Sequence, residues 1–271
     1  MQFEYRSNLF DIEGVAEDDH IYQCIVRSGT FYELDLLEHI RLLKPFFYSK
    51  SYKNVVIDIG ANIGNHSLFF SSFLADHLIA IEPNPHVLPI LRRNLSKNID
   101  NYTLLEHGVG EKEGTGTLVL PDAHNIGGAR IDLQSNTGNI SISTLDSAFS
   151  SWKENECEPI SLALIKIDVE GMEPQVLKGA ENTIAEYKPH IFAEAATKEE
   201  LHRISSYLNP LGYRKLPGHW AATPVYHFAH NPSFSLITKA YSIYFTLDFY
   251  HQLRHTVSRL KSRLIKYYTE R

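Results

Sequence analysis

Five carboxylates in this chain stand at or just past the ends of short apolar runs: Asp58 in VVIDIG, Glu82 in IAIEPNP, Asp168 and Glu170 in LIKIDVEGMEP, and Glu194 in IFAEA. Acidic groups gathered at strand ends can take a proton from a hydroxyl, share a cation, or accept hydrogen bonds from a polyol. The first of them precedes the loop Gly60-Ala61-Asn62-Ile63-Gly64, which runs into Asn65 and His66 at the start of a helical pattern. Glycine in such a loop lets the backbone approach a ligand. A dinucleotide site would need G-x-G-x-x-G, which is absent, and a carboxylate at Asp58 would repel a pyrophosphate. It would favour an adenosine ligand carrying an ammonium group and no phosphate, which is a description of S-adenosylmethionine.

Glu82 follows Asp58 by 24 residues, at the end of the next apolar run and just before Pro83. An acidic residue there suits the hydroxyls of a ribose, although opening a helix before PNP is the plainer alternative. The small residues Gly108 and Val109, in EHGVG, leave room for a flat adenine. Asp168 and Glu170 should lie at the mouth of the same cleft and raise one another's proton affinity, as a general base requires. Glu194 reaches the same rim. With Asp168 it could also hold Mg²⁺ through hard oxygen ligands, Glu170 completing the set; a metal-free site with Asp168 or Glu170 as base is the competing reading.

Other polar residues carry weaker signals. Glu173 precedes Pro174 and reads as the first turn of a helix. His66 sits where a helix N-terminus would lower its proton affinity, and reads as a donor-side contact or packing residue before a base. His124 and Asn125 precede a Gly-Gly pair that is either a closing loop or a plain turn. His219 and Trp220 either stack on an acceptor or pack a loop, and Asp146 reads as a helix N-cap.

The elements that must position these groups alternate. Apolar runs predict strands over 55–59, 78–82, 102–107, 163–168 and 190–194, with helical patterns over 65–75, 87–98, 173–187 and 198–208 between them. This alternation implies an α/β fold with a parallel sheet covered on both faces. GTGTLVLP and GNISISTL interrupt it as β insertions over one edge of the site, and LNPLGYRKL with TPVYHFAH reads as a closing antiparallel pair. We divide the chain into a helical, aromatic N-terminal extension (1–50), a central domain (51–232) and a basic helical extension (233–271).

The net charge of −6 argues against nucleic acid as a partner. Residues 233–271 carry seven Lys/Arg and two Asp/Glu, a net +5, leaving −11 for the first 232 residues. Within them Leu253, Val257, Leu260 and Leu264 share a face flanked by Arg254, Arg259, Lys261 and Arg263. Domain packing, a homodimer interface and contact with a membrane surface are the readings of that pattern. Two cysteines make neither a disulfide framework nor a zinc site. With no apolar leader, the expected place is the cytoplasm, with peripheral contact to the inner face of the membrane.

The segments VVIDIGANIGNHSLFF, AIEPNP, LRRNL, TLD, LIKIDVEGMEPQVLKGA and PHIFAEA occur in the order and spacing of the FkbM-like methyltransferases. The resemblance spans roughly 54–228, and DVEGME is its most distinctive block. It implies a Rossmann-like class I methyltransferase, with a mostly parallel seven-stranded sheet, an antiparallel last strand and S-adenosylmethionine as donor. By position, Asp58, Gly60, Asn62, Gly64 and Glu82 resemble donor contacts. Such enzymes commonly methylate hydroxyls on sugars of surface glycans, nucleotide- or lipid-linked acceptors included, or on polyketide-type metabolites. A non-catalytic glycan or partner binder on the same fold is the rival from another class.

Overall fold

The computed structural model describes residues 1–16, 19–119, 129–132, 138–247 and 249. The expectations placed on His124, Asn125 and the pattern Leu253–Leu264 fall outside these residues. The chain begins with a hairpin of β1 (Gln2–Tyr5) and β2 (Asn8–Asp11), then α1 (His20–Ser28) and α2 (Leu34–Leu43). The alternating part follows as β3 (Lys53–Ile59), α3 (Asn65–Phe73), β4 (His77–Ile81), α4 (Leu88–Asn98) and β5 (Tyr102–Leu105). Next come β6 (Gly108–Val109), β7 (Gly114–Val119), β8 (Arg130–Asp132), β9 (Ile140–Ser143) and α5 (Leu145–Lys153). The last part holds β10 (Ile160–Ile167), α6 (Glu173–Lys178), α7 (Glu181–Tyr187), β11 (His190–Glu194), α8 (Lys198–Leu208), β12 (Tyr213–Lys215) and β13 (Val225–His230).

Seven strands form the main sheet in the order β5-β4-β3-β10-β11-β13-β12, with β13 antiparallel to both its neighbours. The order reverses between β3 and β10, which pair in parallel with Lys166 opposite Asp58. An open parallel sheet binds its ligand beyond the strand ends at this switch. Alternate side chains divide each strand between two cores. Val56 and Leu164 face α2, α3 and α4 along with the N-terminal aromatics Phe3, Phe10 and Phe31, while Val55, Ile57, Ile165 and Ile167 face the residues of α5 to α8. The class I methyltransferase fold is therefore complete, helices lying on both faces.

Four expectations need correcting. The N-terminal segment opens with a β-hairpin rather than with helix only. Its turn residues Arg6 and Ser7 both have positive φ, +49° and +65°, so two ordinary side chains occupy a turn that usually calls for Asn-Gly. The third parallel strand stops at Leu105, and Gly108–Val109 pair instead with β9 in a second sheet of order β6-β9-β7-β8. The helix expected over 173–187 is two helices, broken at Gly179, where a Cβ would sit 2.0 Å from the Gly110 carbonyl oxygen. Asp146 is not an N-cap of its own helix; Thr144 caps α5, while Asp146 accepts from the backbone N–H groups of Asn182 and Thr183 at the start of α7.

Where α2 crosses the sheet, three histidines are buried together: His39, His190 and His227. His190 Nδ1 lies 2.9 Å from His227 Nε2, and the His39 ring centroid is 4.6 Å from that of Trp220. Burial pushes all three down, His39 to about 3, His190 to about 4 and His227 well below its usual value, so the three rings are neutral at pH 7. After β13, Ser233 caps a C-terminal helix over 234–247 by accepting from the Leu236 N–H. Its Leu236, Ala240 and Ile243 pack on Leu43, Leu216 and Ala229. Among the described residues no helix is long and apolar enough to cross a membrane.

Candidate active site

A cavity of about 510 Å³ opens at the switch point, lined by the loops after β3, β4 and β10, by the last residue of β11 and by β6. The loop after β3 is shaped by three left-handed residues, Gly60 (φ +78°), Asn62 (φ +50°) and Gly64 (φ +90°). A Cβ on Gly60 would lie 1.8 Å from the Asp168 carbonyl oxygen, because the ends of β3 and β10 converge there. Only glycine fits that approach. Gly64 lies off the cavity, at the N-cap of α3, where a Cβ would meet the Leu91 side chain at 2.9 Å.

Glu82 is buried on the cavity wall beside Pro83. Its Oε2 accepts from the Asn62 N–H and its Oε1 from the Asn84 N–H, both at 2.9 Å. The carboxylate thus fixes two loops and keeps lone pairs for a diol. Burial, opposed by these two N–H groups, raises its proton affinity. Val109 and Gly108 also line the cavity, but a Cβ on Gly108 would meet Ile131 and Ile142 at 2.5 and 2.6 Å. That glycine makes room for the second sheet, and Ile131 from β8 becomes part of the wall.

Asp58 differs from its expectation. It is fully buried, on the face of β3 that packs against α3, and does not line the cavity. Ser67 Oγ donates to its Oδ2 at 2.6 Å, and Lys166 Nζ lies 3.5 Å from its Oδ1. An ammonium ligand therefore does not meet this carboxylate directly.

Lys166 was not anticipated as a site residue. Its Nζ donates to the Gly60 carbonyl at 3.2 Å and stands 3.2 Å from Asp168 Oδ2. Burial works against its charge, but Asp168 and Asp58 outweigh that and raise its pKa. The ammonium thus ties the glycine loop after β3, the buried Asp58 and the cavity carboxylate together. A single charged residue inside the apolar run LALIKI was the available signal.

The structure brings Asp168, Glu170 and Glu194 together around the cavity. Burial alone would raise Asp168; Lys166 and a hydrogen bond with Glu194 bring it below its ordinary value. Glu194 moves the other way, raised by burial and by the adjacent Asp168 charge, and so carries the proton the two share. Glu170, at φ +55°, keeps an exposed edge on the cavity mouth, and its partial desolvation there, then Asp168 and Glu173, push its pKa up to about 7. Glu173 accepts from the N–H groups of Val169 and Gly171, pinning the tight turn that presents Glu170. Among the described residues no three His, Cys, Asp or Glu side chains are placed to hold a metal ion. The pair expected to hold Mg²⁺, Asp168 and Glu194, adjoins the Lys166 ammonium, which already places a positive charge beside Asp168.

The remaining wall comes from the N-terminal segment. Asn65 holds Tyr32 by reciprocal bonds of 3.0 Å, its amide donating to the Tyr32 carbonyl and its carbonyl accepting from the Tyr32 N–H. Glu33 Oε2 lies 3.3 Å from His66 Nε2, and Asp19, His20 and Ile21 complete that side. Opposite them, Ala222 and Thr223 enter from the β12–β13 connection. His219 and Trp220 do not line the cavity; Trp220 packs between His39 and Tyr244.

The family profile described as methyltransferase FkbM domain matches residues 58–215. Among solved structures, the chain is similar to methyltransferase FkbM from Methylobacillus flagellatus, at 22% identity and a TM-score of 0.45 over 67% of this chain and 44% of that one. It thus spans less than half the length of that protein. It is also similar to precorrin-6y C5,15-methyltransferase from Geobacter metallireducens (18%, TM-score 0.40, 70% of this chain and 85% of that one). A third is a putative methyltransferase from Streptococcus mutans in complex with SAH (15%, TM-score 0.42, 73% and 96%). A search of curated proteins found no match.

Proposed function

The chain belongs to the FkbM methyltransferase domain family, and from that premise we propose that it is an S-adenosylmethionine-dependent methyltransferase acting on a hydroxyl of a sugar or related polyhydroxyl acceptor. The observation that carries the acceptor half of this reading is Glu170. It lines the same cavity as the donor loop, is presented by a pinned turn, and has a proton affinity near neutrality. A sugar hydroxyl is a weak acid, so transfer needs a base matched to the working pH.

S-adenosylmethionine, when bound, supplies a methyl carbon made electrophilic by the adjoining sulfonium. Residues 60–63 and Glu82 on the cavity wall fit an adenosine ligand: backbone of the loop faces the cavity, and a buried carboxylate keeps lone pairs for ribose hydroxyls. Asp168, kept ionised by Lys166, contributes a fixed negative charge. Glu194, already protonated, can donate a hydrogen bond but cannot take a proton. Glu170 is left to accept the hydroxyl proton as the oxygen–carbon bond forms and the carbon–sulfur bond breaks. Its carboxyl then returns the proton to solvent.

Two measurements test this reading. Calorimetry should show binding of S-adenosylhomocysteine and none of NAD. Methyl-labelled donor offered with simple glycosides, nucleotide sugars and lipid-linked sugars should label an oxygen of one of these acceptors. Labelling confined to amines would refute the hydroxyl assignment, and donor binding with no transfer to any class would favour a binding protein.

A further inference from the structure

The C-terminal helix is apolar on two sides. One side is used, by the packing of Leu236, Ala240 and Ile243 described above. The other carries Phe234, Tyr241 and Phe245, at 81%, 48% and 62% exposure. Steps of seven and four residues place these three on a single helix face. Soluble surfaces rarely spend adjacent aromatic rings on water without a partner. Tyr241 and Phe245 also stack on one another, with centroids 6.1 Å apart and planes at 14°, which keeps the face flat.

What adjoins this face indicates its partner. Tyr241 and Ile237 form one bank of an open groove whose other bank is Arg214, Lys215 and Pro217. Arg214 spends its guanidinium on the carbonyls of Asn209 and Tyr213, and Lys215 lies over the Tyr226 ring at 5.4 Å. Among the described residues their polar contacts are to carbonyls and a ring, not to carboxylates. The sequence past 249 adds six Lys/Arg against one Glu. Aromatic rings flanked by unpaired cations match the layered chemistry of an anionic bilayer surface, with apolar depth under negative headgroups.

The used side of the helix leads to the cavity. A Cβ on Gly218 would meet the Tyr244 ring at 2.2 Å, and Trp220 lies against that ring at 5.2 Å. Both belong to the connection that delivers Ala222 and Thr223 to the cavity wall. We propose that the face of Phe234, Tyr241 and Phe245, with the Arg214–Lys215 groove beside it, docks the protein on an anionic lipid surface. A lipid-borne acceptor would then be met by a loop that the docked helix itself supports.

Co-sedimentation of the full chain with vesicles tests this, and does not depend on the acceptor. Phosphatidylcholine vesicles containing phosphatidylglycerol should bring the protein down, and pure phosphatidylcholine should not. The F234S/F245S variant should bind at least about tenfold more weakly while keeping the affinity for S-adenosylhomocysteine of the parent. R214Q/K215Q should weaken binding most at low salt, where surface charge is least screened. No sedimentation of the parent with anionic vesicles would overturn the proposal. So would undiminished sedimentation of F234S/F245S, which would assign binding to charge alone. A parent dimer that F234S/F245S converts to monomer without any change in vesicle binding would assign the face to a second copy instead.

Discussion

Lys166 stands opposite Asp58 across the β3–β10 ladder, and its Nζ reaches Asp58 Oδ1 at 3.5 Å and Asp168 Oδ2 at 3.2 Å. One buried ammonium therefore serves a carboxylate that no ligand sees and another that faces the cavity. Removing it strands a charge in the core, which costs roughly 3–5 kcal/mol where a buried pair loses one partner. K166M should lose that much stability in urea denaturation, and D58N/K166M should recover most of it. Equal losses in the single and double variants would mean the two residues are not energetically coupled.

The rate of methyl transfer should rise with pH through a midpoint near 7 and level off above it, following deprotonation of Glu170, whose pKa is pushed up to about 7. E170Q should slow the reaction by roughly 10²–10⁴ and abolish that rise, leaving donor affinity nearly unchanged. A pH profile that survives in E170Q would move the base elsewhere.

The same group has an opposite effect on stability. Its folded pKa is raised from the ordinary 4.5, so the folded state binds the proton more tightly than the unfolded state. Its stabilising contribution is present below 4.5 and is lost as pH rises through about 7. E170Q should therefore melt at a higher temperature than the parent at about pH 8, the gap closing toward about pH 4. A gap that is constant with pH would show that Glu170 is not strained by its surroundings.

His39 works in the reverse sense. Its folded pKa of about 3 lies below the ordinary 6.5, so the unfolded chain takes up a proton that the folded chain refuses. Stability contributed by the neutral ring is present above 6.5 and is lost as pH falls toward 3. The raised carboxylates partly mask this slope in the parent protein, so the comparison is between variants. Between about pH 7 and pH 5, H39L should gain about 2 kcal/mol on the parent. No relative gain would place the His39 ring in contact with water.

Gly60 and Gly64 both have positive φ but should respond differently to alanine. The left-handed conformation costs a β-carbon about 1–2 kcal/mol at either place. At Gly64 the neighbour is the end of a leucine side chain, which can move; at Gly60 it is the Asp168 backbone, 1.8 Å away. G64A should keep its affinity for S-adenosylhomocysteine within about threefold, its αL cost falling on stability, while G60A loses more than about tenfold in affinity. Equal effects would mean that the approach of β3 to β10 does not shape the donor loop.

Much of this was legible in the sequence. β11 and α8 begin and end where apolar spacing put them, because both are bounded by polar or turn-forming residues. Glu82 and the three cavity carboxylates were found from their position after apolar runs. The hairpin at Arg6–Ser7 was not legible, since those residues do not advertise a left-handed turn. The break at Gly179 was written in the sequence, but its cause is a distant backbone, that of Gly110. Asp58 was misplaced and Lys166 passed over for one reason: which face of a strand a side chain takes depends on the neighbours that cover it, and Asp58 is covered by Ser67 of α3 with Lys166 opposite it in the ladder.

The cavity wall has consequences for how relatives should be compared. Tyr32, Glu33, Asp19 and His20 on one side, and Ala222 and Thr223 on the other, lie outside the span 58–215 that the family shares. Two members of the family can thus agree throughout that span and still enclose differently shaped cavities. The shared segment supplies one part of this cavity's wall and the flanking sequence the rest, so similarity confined to the shared segment does not report the shape of the whole.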